Sequence, residues 1–227
     1  MTKLLIKRFI KDYENTQNSD VRTAYGKFSS IVGIVCNAIL FISKLIVGTL
    51  SASVSITADA VNNLSDASSS IISLLGFKLA SRQADEEHPY GHGRYEYLSG
   101  LMVAVLIMVI GVELFKSSLD KVLHPSAVEF SWVTVGVLAF SILLKTWMAL
   151  FNTKTGKMIN SNTLIATAAD SRNDVITTGA VLVAAILSHF VGFELDGWMG
   201  LGVAVFILYS GFGLVKDTLD PMLGKAP

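Results

Sequence analysis

Residues 57–66 read Thr57-Ala58-Asp59-Ala60-Val61-Asn62-Asn63-Leu64-Ser65-Asp66. They lie within Val54 to Phe77, where Asp59 and Asp66 are the only formal charges. A helix crossing a bilayer needs about 20 mostly apolar residues, and this stretch is long enough. An ionisable side chain at membrane depth is costly unless it pairs, meets water or binds an ion. The stretch therefore sets two expectations at once: a membrane span, and a chemical reason for its carboxylates.

Five further stretches repeat the pattern on either side. Phe28 to Leu50 carries only Lys44, Leu98 to Phe115 only Glu113, and Ser131 to Phe151 only Lys145. Val175 to Val191 and Gly197 to Val215 carry no formal charge. The fifth span is short unless it is extended back to about Thr163, which places Asp170 and Asp174 at membrane depth. These segments are apolar nearly all round and lack the polar stripe of a soluble helix. Composition agrees, with 52% hydrophobic and 16% charged residues, where an average soluble domain has about 25% charge. The expected fold is an all-α membrane protein, a six-transmembrane-helix bundle.

Eighteen basic and eighteen acidic residues cancel, so no net positive field argues for nucleic acid. The single cysteine, Cys36, can form neither an internal disulfide nor a thiolate metal cluster. Basic residues cluster before the first span (Lys3, Lys7, Arg8, Lys11, Arg22, Lys27), in the second connection (Lys78, Arg82, Arg94) and in the fourth (Lys154, Lys157). The positive-inside bias then places both termini in the cytoplasm. The third connection, with Lys116 and Lys121, fits this bias least well. Ile6, Phe9, Ile10 and Tyr13 follow helical spacing among lysines and Arg8, as in an amphipathic helix on the inner membrane face; a disordered basic tail is the other reading. The expected organisation is a cytoplasmic segment over 1–26, a membrane domain over 27–217 and the start of a linker over 218–227.

Asn62 and Asp66 are four residues apart and share one helix face, with Asp59 seven before Asp66 on the same side. Asp170 and Asp174 repeat the four-residue spacing on the fifth span. Two helices, each offering two oxygen ligands one turn apart, can close around one cation. The competing reading pairs these carboxylates with Lys44, Lys145 or Arg172 in a structural salt-bridge network, as in a membrane scaffold. Two matched pairs on different spans favour the ion site. Its donors are all hard oxygens, without the imidazole or thiolate that zinc sites usually recruit, which favours manganese, magnesium or calcium. An intramembrane metal-dependent enzyme is disfavoured. It would need a general base and an open metal position, and the sequence has no His-Glu-x-x-His run. Ser210, the one Gly-flanked serine deep in a span, is far from the aspartates in sequence.

From Lys27 onward the chain resembles the cation diffusion facilitator family of divalent-metal transporters. Four passages carry the resemblance: Lys44-Leu45-Ile46-Val47-Gly48, Asp59-Ala60 to Asp66, His88-Pro89-Tyr90-Gly91-His92-Gly93-Arg94-Tyr95-Glu96, and Asp170 to Asp174 with Val175. The resemblance implies a transport site at Asn62, Asp66, Asp170 and Asp174. Zinc-transporting members usually place a histidine in this quartet, and the quartet here is similar to that of the manganese-exporting branch. The implied activity is export of Mn2+ in exchange for H+ by alternating access, with no resident cofactor. Zn2+, Fe2+ or Co2+ export is the alternative. Asp59 would be an outer ligand or would orient the ligands. Asp85, His88 and His92 match residues that form a second, loop metal site in some members; capping or loop hydrogen bonds are the other reading. The family further implies a homodimer in the plasma (inner) membrane. Members usually continue into a soluble, dimerising C-terminal domain, which would begin near Asp220 to Pro227.

Overall fold

The computed structural model describes residues 9–10, 13, 15–16, 19–79, 94–126, 128–191 and 195–223. Among them run six long helices: α1 (Ser19–Leu50), α2 (Val54–Leu79), α3 (Arg94–Leu123), α4 (Trp132–Ile159), α5 (Asn162–Val191) and α6 (Asp196–Met222). Among the described residues the fold is all-helical, as expected. α1 passes unbroken through positions 26 and 27. Most of the N-terminal amphipathic segment, and the loop holding Asp85, His88 and His92, lie outside the described residues.

Local chemistry sets the turns. Ser53 caps α2, its Oγ accepting from the Ile56 amide at 3.2 Å. Ser131 caps α4 through the Val133 amide at 3.2 Å, and Ser161 does the same for α5 through Leu164 at 3.4 Å. Each satisfies an amide that the first helical turn leaves without a partner. Asn160 ends α4 in the left-handed region, with φ 51°, a conformation asparagine tolerates better than most residues.

Four helices carry segments long and apolar enough to cross a membrane: Val21–Leu50, Trp132–Ile159, Leu164–Phe190 and Asp196–Lys216. The third agrees with the backward extension of the fifth sequence stretch, so Asp170 and Asp174 fall within an apolar helix. The outward faces are apolar and several charged and polar side chains are buried. On α1, Ile31, Val35, Ile39, Ile42 and Ile46 face outward, while Ser29, Asn37 and Lys44 are buried. α4 likewise exposes Phe140 and Leu143 and buries Ser141 and Lys145. An apolar exterior, with charged and polar side chains confined to the interior, suits a helix bundle in lipid.

α1 packs along α2, α4 along α5, and α3 along α6. α2 is central, touching α1, α3, α5 and α6. Ile56, Val61, Ile107, Leu138, Val181 and Ile207 form the apolar core between them. α3 and α6 approach closely through glycine: a Cβ at Gly200 would lie 2.5 Å from Ser118 Oγ, and one at Gly211 2.9 Å from Met108 Cγ. Small residues at such crossings let helix backbones approach in lipid.

One end of the bundle is fastened by Asp196. Its carboxylate accepts from the Val54 amide at 2.9 Å, from Ser55 Oγ at 2.5 Å and from Ser53 Oγ, and it pairs with Lys121 Nζ at 2.9 Å. Lys121 also donates to the carbonyl of Ala52 at 2.5 Å, holding the α1–α2 turn where Ala52 has φ 52°. The starts of α2 and α6 and the end of α3 are thereby tied together. Lys116 and Lys121, the lysines that fit the charge bias least well, are both ion-paired, Lys116 to Glu113 at 3.0 Å.

Candidate functional site

α2 presents Asp59, Asn62 and Asp66 at helical spacing toward α5, which presents Asp170, Asp174 and Thr178. The structure sorts these side chains into two buried groups, each holding one lysine.

The first group holds Asn62, Asp66, Asp174 and Lys145. Asn62 Nδ2 donates to Asp174 Oδ1 at 2.7 Å. Lys145 Nζ, from α4, donates to Asp66 Oδ2 at 2.8 Å and to Asp174 Oδ2 at 2.5 Å. The ammonium therefore bridges carboxylates of α2 and α5. Asp170 is exposed, yet it lies within the electrostatic reach of Asp174 and Lys145. Asn62, Asp66, Asp170 and Asp174 all line one cavity of about 390 Å³. The structure thus brings the expected quartet to a single space. Among the described residues, no three His, Cys, Asp or Glu side chains stand together as a metal-ready cluster, and Lys145 lies between two of the carboxylates.

The second group holds Lys44, Asp59 and Thr178. Lys44 Nζ meets Asp59 Oδ2 at 2.8 Å and Thr178 Oγ1 at 3.1 Å, and Thr178 Oγ1 lies 2.9 Å from Asp59 Oδ2. Asp59 is thus held by α1 and α5 and apart from the quartet. Seven residues of α2 separate it from Asp66, or about 10 Å along the axis, toward the end fastened by Asp196.

Exposure changes in the opposite direction. The Asp66 side chain is 29% exposed and that of Asp174 7%, while Asp170, one turn nearer the start of α5, is exposed and Asn62 is buried. The cavity therefore opens toward the end where α2 finishes and α5 begins. The Lys44 group and the Asp196 fastening lie on its closed side.

Several placements depart from what sequence distance suggests. Ser210, remote from the aspartates along the chain, lines the same cavity. Arg172 does not join the carboxylates and donates to Thr153 Oγ1 at 2.9 Å. Thr178, one turn beyond Asp174 on α5, joins Lys44 and Asp59, and helical spacing is the sequence signal that points to it. His124 pairs with Asp120 at 3.1 Å on the surface, and His189 stacks on Phe130 with centroids 4.0 Å apart; both sit at helix ends.

Comparison with known proteins is consistent across sources. Residues 30–223 match the family model described as the cation efflux transmembrane domain. An uncharacterized transporter of Methanocaldococcus jannaschii is 34% identical over 197 residues, covering 87% of this chain and 70% of the relative. The manganese efflux system protein MneS of Bacillus subtilis is 25% identical over 193 residues, 85% of this chain and 67% of MneS. The cation-efflux pump FieF of Salmonella agona is 27% identical over 205 residues, 89% of this chain and 68% of FieF.

Proposed function

This chain belongs to the cation diffusion facilitator family of cation efflux transporters, and from that premise we propose that it exports Mn2+ in exchange for protons through Asn62, Asp66, Asp170 and Asp174. The observation carrying this reading is that all four side chains, from the two helices α2 and α5, line one cavity of about 390 Å³. Their donors are hard oxygens, which suit Mn2+ better than Zn2+. The similarity to MneS, named for manganese efflux, supports the same preference.

The family makes the chain a multi-pass membrane protein. Its proposed arrangement is six spans with both termini cytoplasmic, as a homodimer in the plasma membrane. On that topology the cavity mouth faces the cytoplasm, and the end tied by Asp196 faces outward. Metal enters at Asp170 and Asp66 and is passed inward to Asp174 and Asn62. Helix rocking then closes the mouth and opens the opposite end. There, protons compete with the metal for the three carboxylates. Asn62 does not titrate and sets selectivity.

One observation favours a second reading, a scaffold with internal salt bridges: Lys44 and Lys145 are both ion-paired to the buried carboxylates. Flux through reconstituted liposomes separates the two. With an acidic interior, Mn2+ uptake is expected and should stop when the pH gradient is collapsed. A scaffold gives no flux, gradient-independent uptake rejects antiport, and faster Zn2+ than Mn2+ uptake rejects the manganese assignment.

A further inference from the structure

Three carboxylate oxygens of the quartet are already occupied. Asp66 and Asp174 each give one carboxylate oxygen to the Lys145 ammonium, at 2.8 and 2.5 Å. The other oxygen of Asp174 accepts from Asn62 Nδ2 at 2.7 Å. Asn62 therefore turns its amide nitrogen, which cannot ligate a cation, toward its neighbour. Lys145 is 1% exposed, and an ammonium has only donors to offer. It is a cation seated between the two carboxylates that a metal would need.

We propose that the Lys145 ammonium is a tethered counter-ion that holds the cation position between Asp66 and Asp174 until a divalent metal displaces it. This rests on the reading of the quartet as the transport site. Two buried carboxylates facing each other with no cation are costly in a low-dielectric interior. Lys145 removes most of that cost in the metal-free protein. The entering dication takes the Asp66 and Asp174 oxygens, the flexible four-carbon stem carries the ammonium aside, and the Asn62 amide turns its carbonyl oxygen inward. The charges support the exchange. Asp66, Asp170 and Asp174 sum to three negative charges and Lys145 contributes one positive, so the group as a whole matches a dication. The lysine thus lowers metal affinity and helps release, and it offsets one of the three carboxylate charges so that protons need to neutralise only the remainder on the return.

Equilibrium Mn2+ binding to the purified full chain tests this, with Mn2+ as the probe. Lys145→Met removes the competitor, and its binding should tighten roughly tenfold, while transport shows a lower KM and a lower kcat. Lys145→Arg should move the other way and bind Mn2+ several-fold more weakly, because a guanidinium forks onto carboxylates more firmly than an ammonium. A lysine with only a structural role predicts weaker binding in Lys145→Met, and that result overturns the proposal. Should Lys145→Met not fold, Lys145→Arg decides alone, and unchanged binding there also overturns it. Asp174→Ala keeps the two readings apart. If it binds Mn2+ like the wild type, the quartet itself is wrong. If it loses binding while Lys145→Met binds no tighter, only the displacement is wrong.

Discussion

Asn62 on α2 and Asp174 on α5 meet side chain to side chain at 2.7 Å, across 112 positions of sequence. This contact joins the two helices whose matching pairs of polar residues define the candidate site. It also places a group that cannot titrate directly against one that can, at the buried end of the cavity.

Burial ranks the carboxylates. Asp174 and Asp66 both contact Lys145, whereas Asp170 stands exposed at the mouth. Asp66→Ala and Asp174→Ala are expected to abolish Mn2+ flux in liposomes, and Asp170→Ala to reduce it by a smaller factor. Wild-type rates in Asp174→Ala would remove that residue from the site.

Asn62→His puts an imidazole nitrogen beside Asp174. Imidazole suits zinc, whereas an all-oxygen set suits manganese. The ratio of Zn2+ to Mn2+ flux, measured in competition, is expected to rise. An unchanged ratio would exclude Asn62 as the selectivity residue.

Lys44 is fully buried against Asp59 and Thr178. Removing one partner of a buried ion pair leaves the other uncompensated, typically at about 3–5 kcal/mol. Lys44→Met should lower the melting temperature markedly in detergent, and Lys44→Met with Asp59→Asn should recover part of the loss. Additive losses in the double variant would mean that the pair is not energetically coupled.

Asp196 gathers donors from α2 and α3 at the closed end. Asp196→Ala leaves Lys121 without its carboxylate and the start of α2 without an acceptor. A loss of about 3–5 kcal/mol is expected by analogy with other broken buried pairs. Asp196→Asn keeps the hydrogen-bond acceptor and should lose less. Equal melting temperatures for the two variants would show that the charge alone matters.

Much of the candidate site's arrangement was legible because helical periodicity is local. The spacing of Asp59, Asn62 and Asp66, and of Asp170 and Asp174, settles which side chains share a face before any helix has a neighbour. The same spacing gave no means of ranking Asp170 against Asp174, since one turn along α5 separates an exposed carboxylate from a buried one. Sequence separation misled over Ser210, which packing brings to the cavity.

From its residues alone the chain specifies apolar helices with carboxylates inside them, because hydrophobicity and period are properties of short segments. The partner of each buried charge is fixed only in three dimensions. Lys44 goes to Asp59, Lys145 to Asp66 and Asp174, and Lys121 to Asp196. A lysine in one helix can reach several carboxylates in principle. Which one it meets depends on how helices distant in sequence cross, and that is set by the close packing of glycines and core side chains along their whole length.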